Sequence, residues 1–549
     1  MLRLSELKLP LDHDDAALPA AICRRLGIGP EELLAFHIAR RGYDARRKSD
    51  IQLVYTIDVE LPAARERALR KRLQRDGRIG PTPDTRYRPV ATGGALPAGA
   101  TRPLVVGFGP CGMLAALILA QAGLRPIIVE RGKVVRERTR DTWAFWRRRE
   151  LDCESNVQFG EGGAGTFSDG KLYSQVRDPQ HYGRKVLEEF VKAGAPEEIL
   201  YLSKPHIGTF RLVKMVEHMR ASIEALGGEF RFRHRVEDLL IEANPEGDVR
   251  RSRRVRGVVF ADGTTLAADH VILAVGHSAR DTFAMLARRA VQMTPKPFSV
   301  GFRIEHPQSL IDRSRFGERG GHPLLGAADY RLVHHAGNGR AVYSFCMCPG
   351  GTVVAASSEA GAVVTNGMSQ YSRAERNANS AIVVAIDAAD YADADHGVLA
   401  GIAFQRRWER RAFELGGGNY DAPAQLLGDF LAGRPSTALG SVAPSFRPGV
   451  RLTDLSSALP ADVIASLREA LPAFERQLPG FALPDALLTG VETRTSSPLR
   501  VERDGDDLQS VNIGGLYPAG EGAGYAGGIL SAAIDGIRVA EALARAVVR

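Results

Sequence analysis

Apolar residues along this chain fall into short blocks whose periods differ from region to region. Leu104-Val105-Val106 and Pro126-Ile127-Ile128-Val129 are unbroken apolar runs too short for helices, which reads as strands buried on both faces. Between them, Met113 to Ala122 is apolar over a length that predicts a buried helix, so the three together form a βαβ unit. Further strands are expected at Phe230 to Glu242, in a hairpin from Val255 to Leu266, at His270 to Val275 and at Val511 to Ala519, the last followed by a helix from Gly527 to Val548. Near the start, alternation predicts strands at Leu2 to Leu11 and Ile51 to Leu61. Helices are expected from Asp15 to Leu26, from Pro30-Glu31-Glu32, and in the charged stretch ending near Arg75.

Between about Lys296 and Gly490 strands alternate with loops, and amphipathic helices are predicted at Ser372 to Ala388, Ile402 to Leu415 and Ala461 to Leu471. The resulting fold class is α/β: a Rossmann-like domain built from discontinuous segments, an inserted mixed α+β substrate domain, and a small N-terminal α+β module. The expected boundaries are 1–90 for the module, 91–103 for a Gly/Pro-rich linker, 104–295 with 488–549 for the nucleotide-binding domain, and 296–487 for the substrate domain. A cleft at the junction of two such domains is where a ligand is expected.

At 549 residues the chain exceeds one ordinary core, and its 44% hydrophobic and 25% charged content is that of a globular protein. No apolar run reaches the length of a membrane span, and Arg3, Glu6, Lys8, Asp12 and Asp14 break up what would be a signal-peptide core. A cytoplasmic location without membrane attachment is expected, and 5 cysteines in so long a chain fit a reducing compartment. The net charge of +8 comes largely from arginine runs such as Arg147-Arg148-Arg149 and Arg250 to Arg256. The second run lies between two predicted strands, where a solvated turn explains it more plainly than a nucleic-acid footprint.

Chemistry enters with two glycine-rich turns far apart in the chain. In Gly107-Phe108-Gly109-Pro110-Cys111-Gly112 the glycines have separate tasks: Gly107 makes a tight turn, Gly109 lets a pyrophosphate approach the backbone, and Gly112 lets the helix pack on the strand. Glu130, followed by Arg131, ends the second strand about 20 positions on, where a carboxylate meets ribose hydroxyls. The second turn, Gly520-Glu521-Gly522-Ala523-Gly524, offers a carboxylate for a ribityl chain. The helix after it, from Gly528 and Ile529, offers free N–H groups and a positive dipole end. Cradles for both ends of a long dinucleotide point to FAD.

Three other segments are candidates. In Gly160-Glu161-Gly162-Gly163-Ala164-Gly165-Thr166-Phe167-Ser168-Asp169-Gly170-Lys171, small residues and hydroxyls, among them Gly163, Thr166, Ser168 and Gly170, suit a loop wrapped around a pyrophosphate, with Lys171 near the flavin or an anionic substrate. Gly276, at the end of an apolar strand, suits a crossover close to a cofactor. Cys346-Met347-Cys348 is either a labile redox pair or two small buried apolar residues; zinc needs two more ligands at recognisable spacing, and none is found, so no metal site is expected. Arg494 and Arg500, among four hydroxyl residues, suit an anionic substrate or a structural salt bridge equally. Lys171, Cys348 and Arg494 are the catalytic candidates.

With these motifs in view, the chain resembles the two-domain flavoproteins of the glutathione reductase and p-hydroxybenzoate hydroxylase group. It is most similar to the bacterial family of uncharacterised FAD-dependent dehydrogenases, through Val157 to Leu172, Phe345 to Gly351 and Gly490 to Arg500. The resemblance implies non-covalent FAD, with Gly107, Gly109 and Gly112 at the pyrophosphate, Glu130 on the adenosine ribose, Val236 meeting the adenine through its backbone, and Glu521 on the ribityl chain. Related flavoproteins more often carry Asp at the position of Glu521, so a longer or water-bridged contact is expected there. The function expected is an FAD-dependent oxidoreductase exchanging a hydride between flavin N5 and a small organic substrate in the interdomain cleft, with NAD(P)H or another carrier as a transient donor. The alternative is a nucleic-acid-associated flavoprotein whose basic stretch, Arg40, Arg41, Arg46, Arg47 and Lys48 beside Tyr43, docks RNA.

Overall fold

The computed structural model describes residues 1–73, 75–91, 96–97, 99–245 and 250–548. Part of the expected linker and residues 246–249 therefore lie outside the described residues. Among the described residues no helix is long and apolar enough to cross a membrane.

The N-terminal module runs strand Leu2–Pro10, helix Ala17–Leu26, strands Ala35–Asp44 and Gln52–Glu60, helix Ala63–Arg72 and strand Ile79–Pro81. All its strand pairs are antiparallel, with Leu2–Pro10 between Gln52–Glu60 and Ile79–Pro81. This is a split βαβ arrangement. Alternate residues Leu53, Tyr55, Ile57 and Val59 are buried under the helices, as their period of two requires. The basic stretch from Arg40 lies partly in strand Ala35–Asp44, and the segment opening at Pro30, expected as a helix, is a single 3-10 turn.

The nucleotide-binding domain is layered. Its centre is a five-stranded parallel sheet in the order Leu516–Pro518, Val271–Leu273, Leu104–Val106, Ile127–Glu130, Glu229–Phe232. Val105 and Ile128 face one way, onto helices Pro110–Gln121 and Ile529–Val547. Leu104, Val106 and Val129 face the other way, onto a small sheet of Val236–Ala243, Arg253–Phe260 and Thr265–Ala267. The single strand expected from Phe230 to Glu242 is thus two strands in two sheets. Between them Arg233 adopts a φ of 62° and turns the chain from one layer to the other. In this strand order the chain reverses direction of growth at Leu104–Val106, and such a switch point opens a crevice at the carboxyl ends of the strands.

The inserted domain is an eight-stranded sheet. One expectation fails here: the segment predicted as a helix at Ser372 to Ala388 contains the strand Asn377–Ile386, buried between Phe298–Pro307 and Ala341–Ala355. Its β-branched Ile382-Val383-Val384 run and burial on both faces outweigh the apparent helical period. The helices Ala400–Leu415 and Ala461–Phe474 do form. Leu487–Glu492, which the boundary at 487/488 would cut from its domain, pairs with Phe298–Pro307 in this sheet.

Candidate active site

The two glycine turns meet. Gly107 has a φ of 97°, and a Cβ there would lie 2.5 Å from the Ala274 carbonyl oxygen; at Gly112 it would lie 1.9 Å from the Gly107 oxygen. Only glycine fits either position. A Cβ on Gly520 would stand 2.8 Å from Cys111 Cβ, and one on Gly536 would stand 2.2 Å from the Cys111 oxygen, so the late turn and its helix lie directly on the early ones. The loop at 160–170 joins them: Gly162 N–H donates to the Phe108 carbonyl at 2.8 Å. A Cβ on Gly163 would be 2.7 Å from Gly109 Cα, and one on Gly165 would fall 3.0 Å from Ile529 Cγ1 and 3.6 Å from Pro110 Cγ. Gly276 has a φ of 73° with nothing within 4 Å of its Cβ position, so the crossover borders open space.

The two acidic residues behave differently. Glu130 is buried and accepts three backbone N–H groups, from Phe108 at 3.0 Å and from Gly132 and Gly160 at 2.9 Å each. Its carboxylate braces the first turn and the loop, leaving one of its roughly four lone-pair positions free. Glu521 is the opposite case. Its Oε1 accepts the Ser497 N–H at 3.1 Å, while its buried Oε2 has no partner. Burial pushes its carboxyl up to about 7, against a smaller downward pull from Lys296. Thr166 Oγ1 and His277 Nε2 are likewise buried without partners. Burial, then the charges of Arg494 and Arg280, push His277 down to about 3, so its ring is neutral. Buried polar groups are nearly always paired, so the orphaned Glu521 Oε2, 3.9 Å from the Cβ position of Gly527 in the late turn, fits a polar ligand such as FAD. At the crevice mouth, Gly528 is exposed and extended, and the helix from Ile529 presents its first-turn N–H groups.

The remaining predicted residues are mostly engaged within the protein. Arg131 stacks at 4.0 Å over Phe159 and pairs with Glu154 and Asp281. Ser168 Oγ donates to the Gly165 carbonyl and accepts the Gly170 N–H, shaping its own turn. Val236 is buried beside Val129 and Phe260. Arg494 spans the domain junction: it holds Glu409 bidentately at 3.1 and 2.9 Å, and donates to Ser358 Oγ at 2.6 Å and Ser278 Oγ at 3.1 Å. Arg280 grips the same carboxylate at 2.7 and 2.9 Å, and the two arginines hold Glu409 far below the usual carboxylate range despite its burial. Between the two readings open for Arg494, the contacts are those of a salt bridge tying the domains together. Lys171 stands in a separate group with Asp169, Cys346 and Cys348. Outside the site, Arg46 of the basic stretch is paired with Asp44, and Arg256 of the second arginine run with Asp269.

Three contributors escaped the sequence reading. Arg138, fully buried, donates to the carbonyls of Asn156, Val157 and Glu161 and so fixes the loop in place. Asp535, inside an apolar helix, accepts the Gly520 N–H at 2.8 Å and pairs with Arg503. Ser497 supplies the N–H on Glu521. Only Asp535 left a legible sign, a charge on the buried face of an apolar helix.

Among known proteins, residues 297–495 match the family model described as FAD-dependent protein, C-terminal domain-like, and residues 1–60 match a domain of unknown function. Solved structures similar to this chain include CtdE in complex with FAD, 12% identical over 81% of this chain and 84% of that one with a TM-score of 0.31. A glycine oxidase from Bacillus cereus is 12% identical over 81% and 95% of the two chains, also with a TM-score of 0.31. These scores are too low to bear on activity. An uncharacterized protein of Clostridium beijerinckii is 44% identical over 545 residues, 98% of each chain. Carrying an FAD-dependent-type central domain between the two halves of its parallel sheet, the chain belongs to the same family as that C. beijerinckii protein.

Proposed function

We propose that the protein is an FAD-dependent oxidoreductase that acts on a small organic substrate in the crevice between its parallel sheet and its inserted domain. The observation that carries this reading is the meeting of three glycine-bearing segments at Gly165, with the orphaned Glu521 Oε2 and Thr166 Oγ1 beside them. Bound there without a covalent link, FAD would supply hydride exchange at N5. The chain's own part is positioning. Gly107, Gly109 and Gly112 admit the pyrophosphate to the N-terminus of helix Pro110–Gln121, which favours anions. Glu130 holds the turn and offers its spare lone pair to the ribose, with the Val236 backbone at the adenine. Glu521 accepts a ribityl hydroxyl at Oε2. The N-terminus of helix Ile529–Val547 faces the pyrimidine edge, where its dipole stabilises negative charge. NAD(P)H is the expected transient donor.

Two measurements test the proposal. Apoprotein incubated with FAD and desalted should be yellow with about one flavin per chain; colourless protein refutes the reading. Anaerobic titration with NADH and NADPH should then bleach the flavin with one of the two.

A further inference from the structure

Strand Ala341–Ala355 is irregular where its two cysteines lie. Its pairing with Asn377–Ile386 slips between Phe345 and Cys348 and again between Cys348 and Gly351. Cys346 has a φ of 45°, a left-handed conformation that strains a residue with a side chain. In a flat strand, residues two apart stand about 6.7 Å apart at Cα, close to the upper limit for a disulfide. The left-handed kink folds this pair more tightly. Cys348 Sγ lies 3.3 Å from the carbonyl oxygen of Cys346, to which its S–H donates, and each thiol biases the ionisation of the other.

Two cations, Arg303 and Lys171, lie beside the pair, with Glu492 and Asp169 as the carboxylates nearest them. Buried Arg303 grips the Cys346 carbonyl with both Nη atoms, at 3.1 and 2.9 Å. Lys171 Nζ makes no hydrogen bond among the described residues; its one ion pair is a 3.9 Å contact with Asp169, whose carboxylate Arg373 already holds at 3.0 and 2.6 Å. Burial alone would discharge Lys171, but the neighbouring Cys348 and Cys346 keep it charged. A thiolate at Cys346 is the anion this ammonium lacks. The neighbouring Cys348 thiol, then Lys171 and Arg303, draw Cys346 well below the ordinary thiol range in spite of burial, while Cys348 is pushed up. Access divides the pair in the same sense: Cys346 is partly exposed and Cys348 fully buried.

We propose that Cys346 and Cys348 form a reversible dithiol–disulfide centre that reduces small-molecule disulfides, with Cys346 attacking and Cys348 resolving. The Cys346 thiolate attacks one sulfur of R–S–S–R; that bond breaks, one thiolate RS⁻ leaves and takes a proton from solvent, and a mixed disulfide forms on Cys346. Cys348 then loses its proton to solvent and attacks the Cys346 sulfur, expelling the second RS⁻, which is protonated. In total the thiolate–thiol pair gives up two electrons and one proton, solvent supplies the second proton, two RSH are formed, and one Cys346–Cys348 bond remains. Lys171 stabilises the thiolate before attack.

The test uses the full-length protein as purified, equilibrated in mixtures of reduced and oxidised glutathione, alkylated, and analysed by peptide mass. Cys346 and Cys348 should become protected together with a two-electron Nernst slope. Cys348→Ser should stop at one glutathione on Cys346, and Cys346→Ser should take up none at this pair. With Lys171→Met, alkylation of Cys346 at pH 7 should slow by about tenfold and its pH–rate profile should move upward. A wild-type protein that keeps both thiols free in oxidised glutathione, or protects other cysteines instead, overturns the proposal. So does a Cys348→Ser variant, natively folded by circular dichroism, that accumulates no mixed disulfide.

Discussion

Replacing Glu521 with Gln removes a carboxyl that the fold buries with one oxygen unpaired, and the consequence should depend on pH in a defined direction. The group's folded value is about 7 against an ordinary 4.5, with burial as the main cause. Below pH 4.5 the folded and unfolded chains both hold the proton, and stability is at its full value. Between 4.5 and about 7 the unfolded chain ionises while the folded one does not, so stability falls as pH rises. Above 7 both are ionised and the loss levels off at about 3 kcal/mol. Gln has no such titration. Urea unfolding of the flavin-free forms should show the variant gaining about 2 to 3 kcal/mol relative to wild type between pH 5 and pH 8. Other buried acids such as Glu492 titrate in both proteins and cancel in the difference. A constant difference between variant and wild type across that range would refute the burial argument. Bound flavin should shrink the effect, because a ribityl hydroxyl at Oε2 supplies the missing donor.

Gly276→Ala and Gly263→Ala carry similar backbone strain, with φ values of 73° and 84° and open space at both Cβ positions. Each should lose about 1 to 2 kcal/mol, but only Gly276→Ala should weaken FAD binding, by about tenfold or more in fluorescence titration; equal affinities would remove the cofactor from that crossover. Glu409→Gln leaves Arg280 and Arg494 facing each other with half their anionic compensation, and should cost about 3 to 5 kcal/mol in urea unfolding. Asp535→Asn should leave buried Arg503 without its carboxylate and with one amide oxygen to serve both it and the Gly520 N–H, lowering both urea stability and FAD retention on desalting.

The parallel sheet was legible in the sequence because its short apolar runs are bounded by glycines whose positions admit no other residue, as at Gly107 and Gly112. The inserted domain was harder to read. Asn377–Ile386 is buried on both faces by partners distant in sequence, so the β-branched run Ile382-Val383-Val384 was the main local sign against a helix. The break at Arg233 was hidden for a related reason: either half of Phe230 to Glu242 satisfies a strand pattern, and only tertiary packing assigns them to different layers. At the site, the sequence named the turns but not the direction of each carboxylate. Glu130 and Glu521 look alike in the chain, yet one is saturated by three backbone donors and the other is half empty, a difference that arises only when the loop at 160–170 folds over the first turn.

Because Leu516–Pro518 and helix Ile529–Val547 complete a sheet begun at Leu104–Val106, a nascent chain leaves the ribosome with the adenosine cradle made and the ring cradle still missing. The whole eight-stranded domain emerges in between, and until the last helix docks, the face of helix Pro110–Gln121 that packs on it has no cover. Ribosome-bound chains halted before Gly520 should therefore recruit chaperones and take up no flavin, so that loading becomes a post-translational checkpoint on the finished polypeptide.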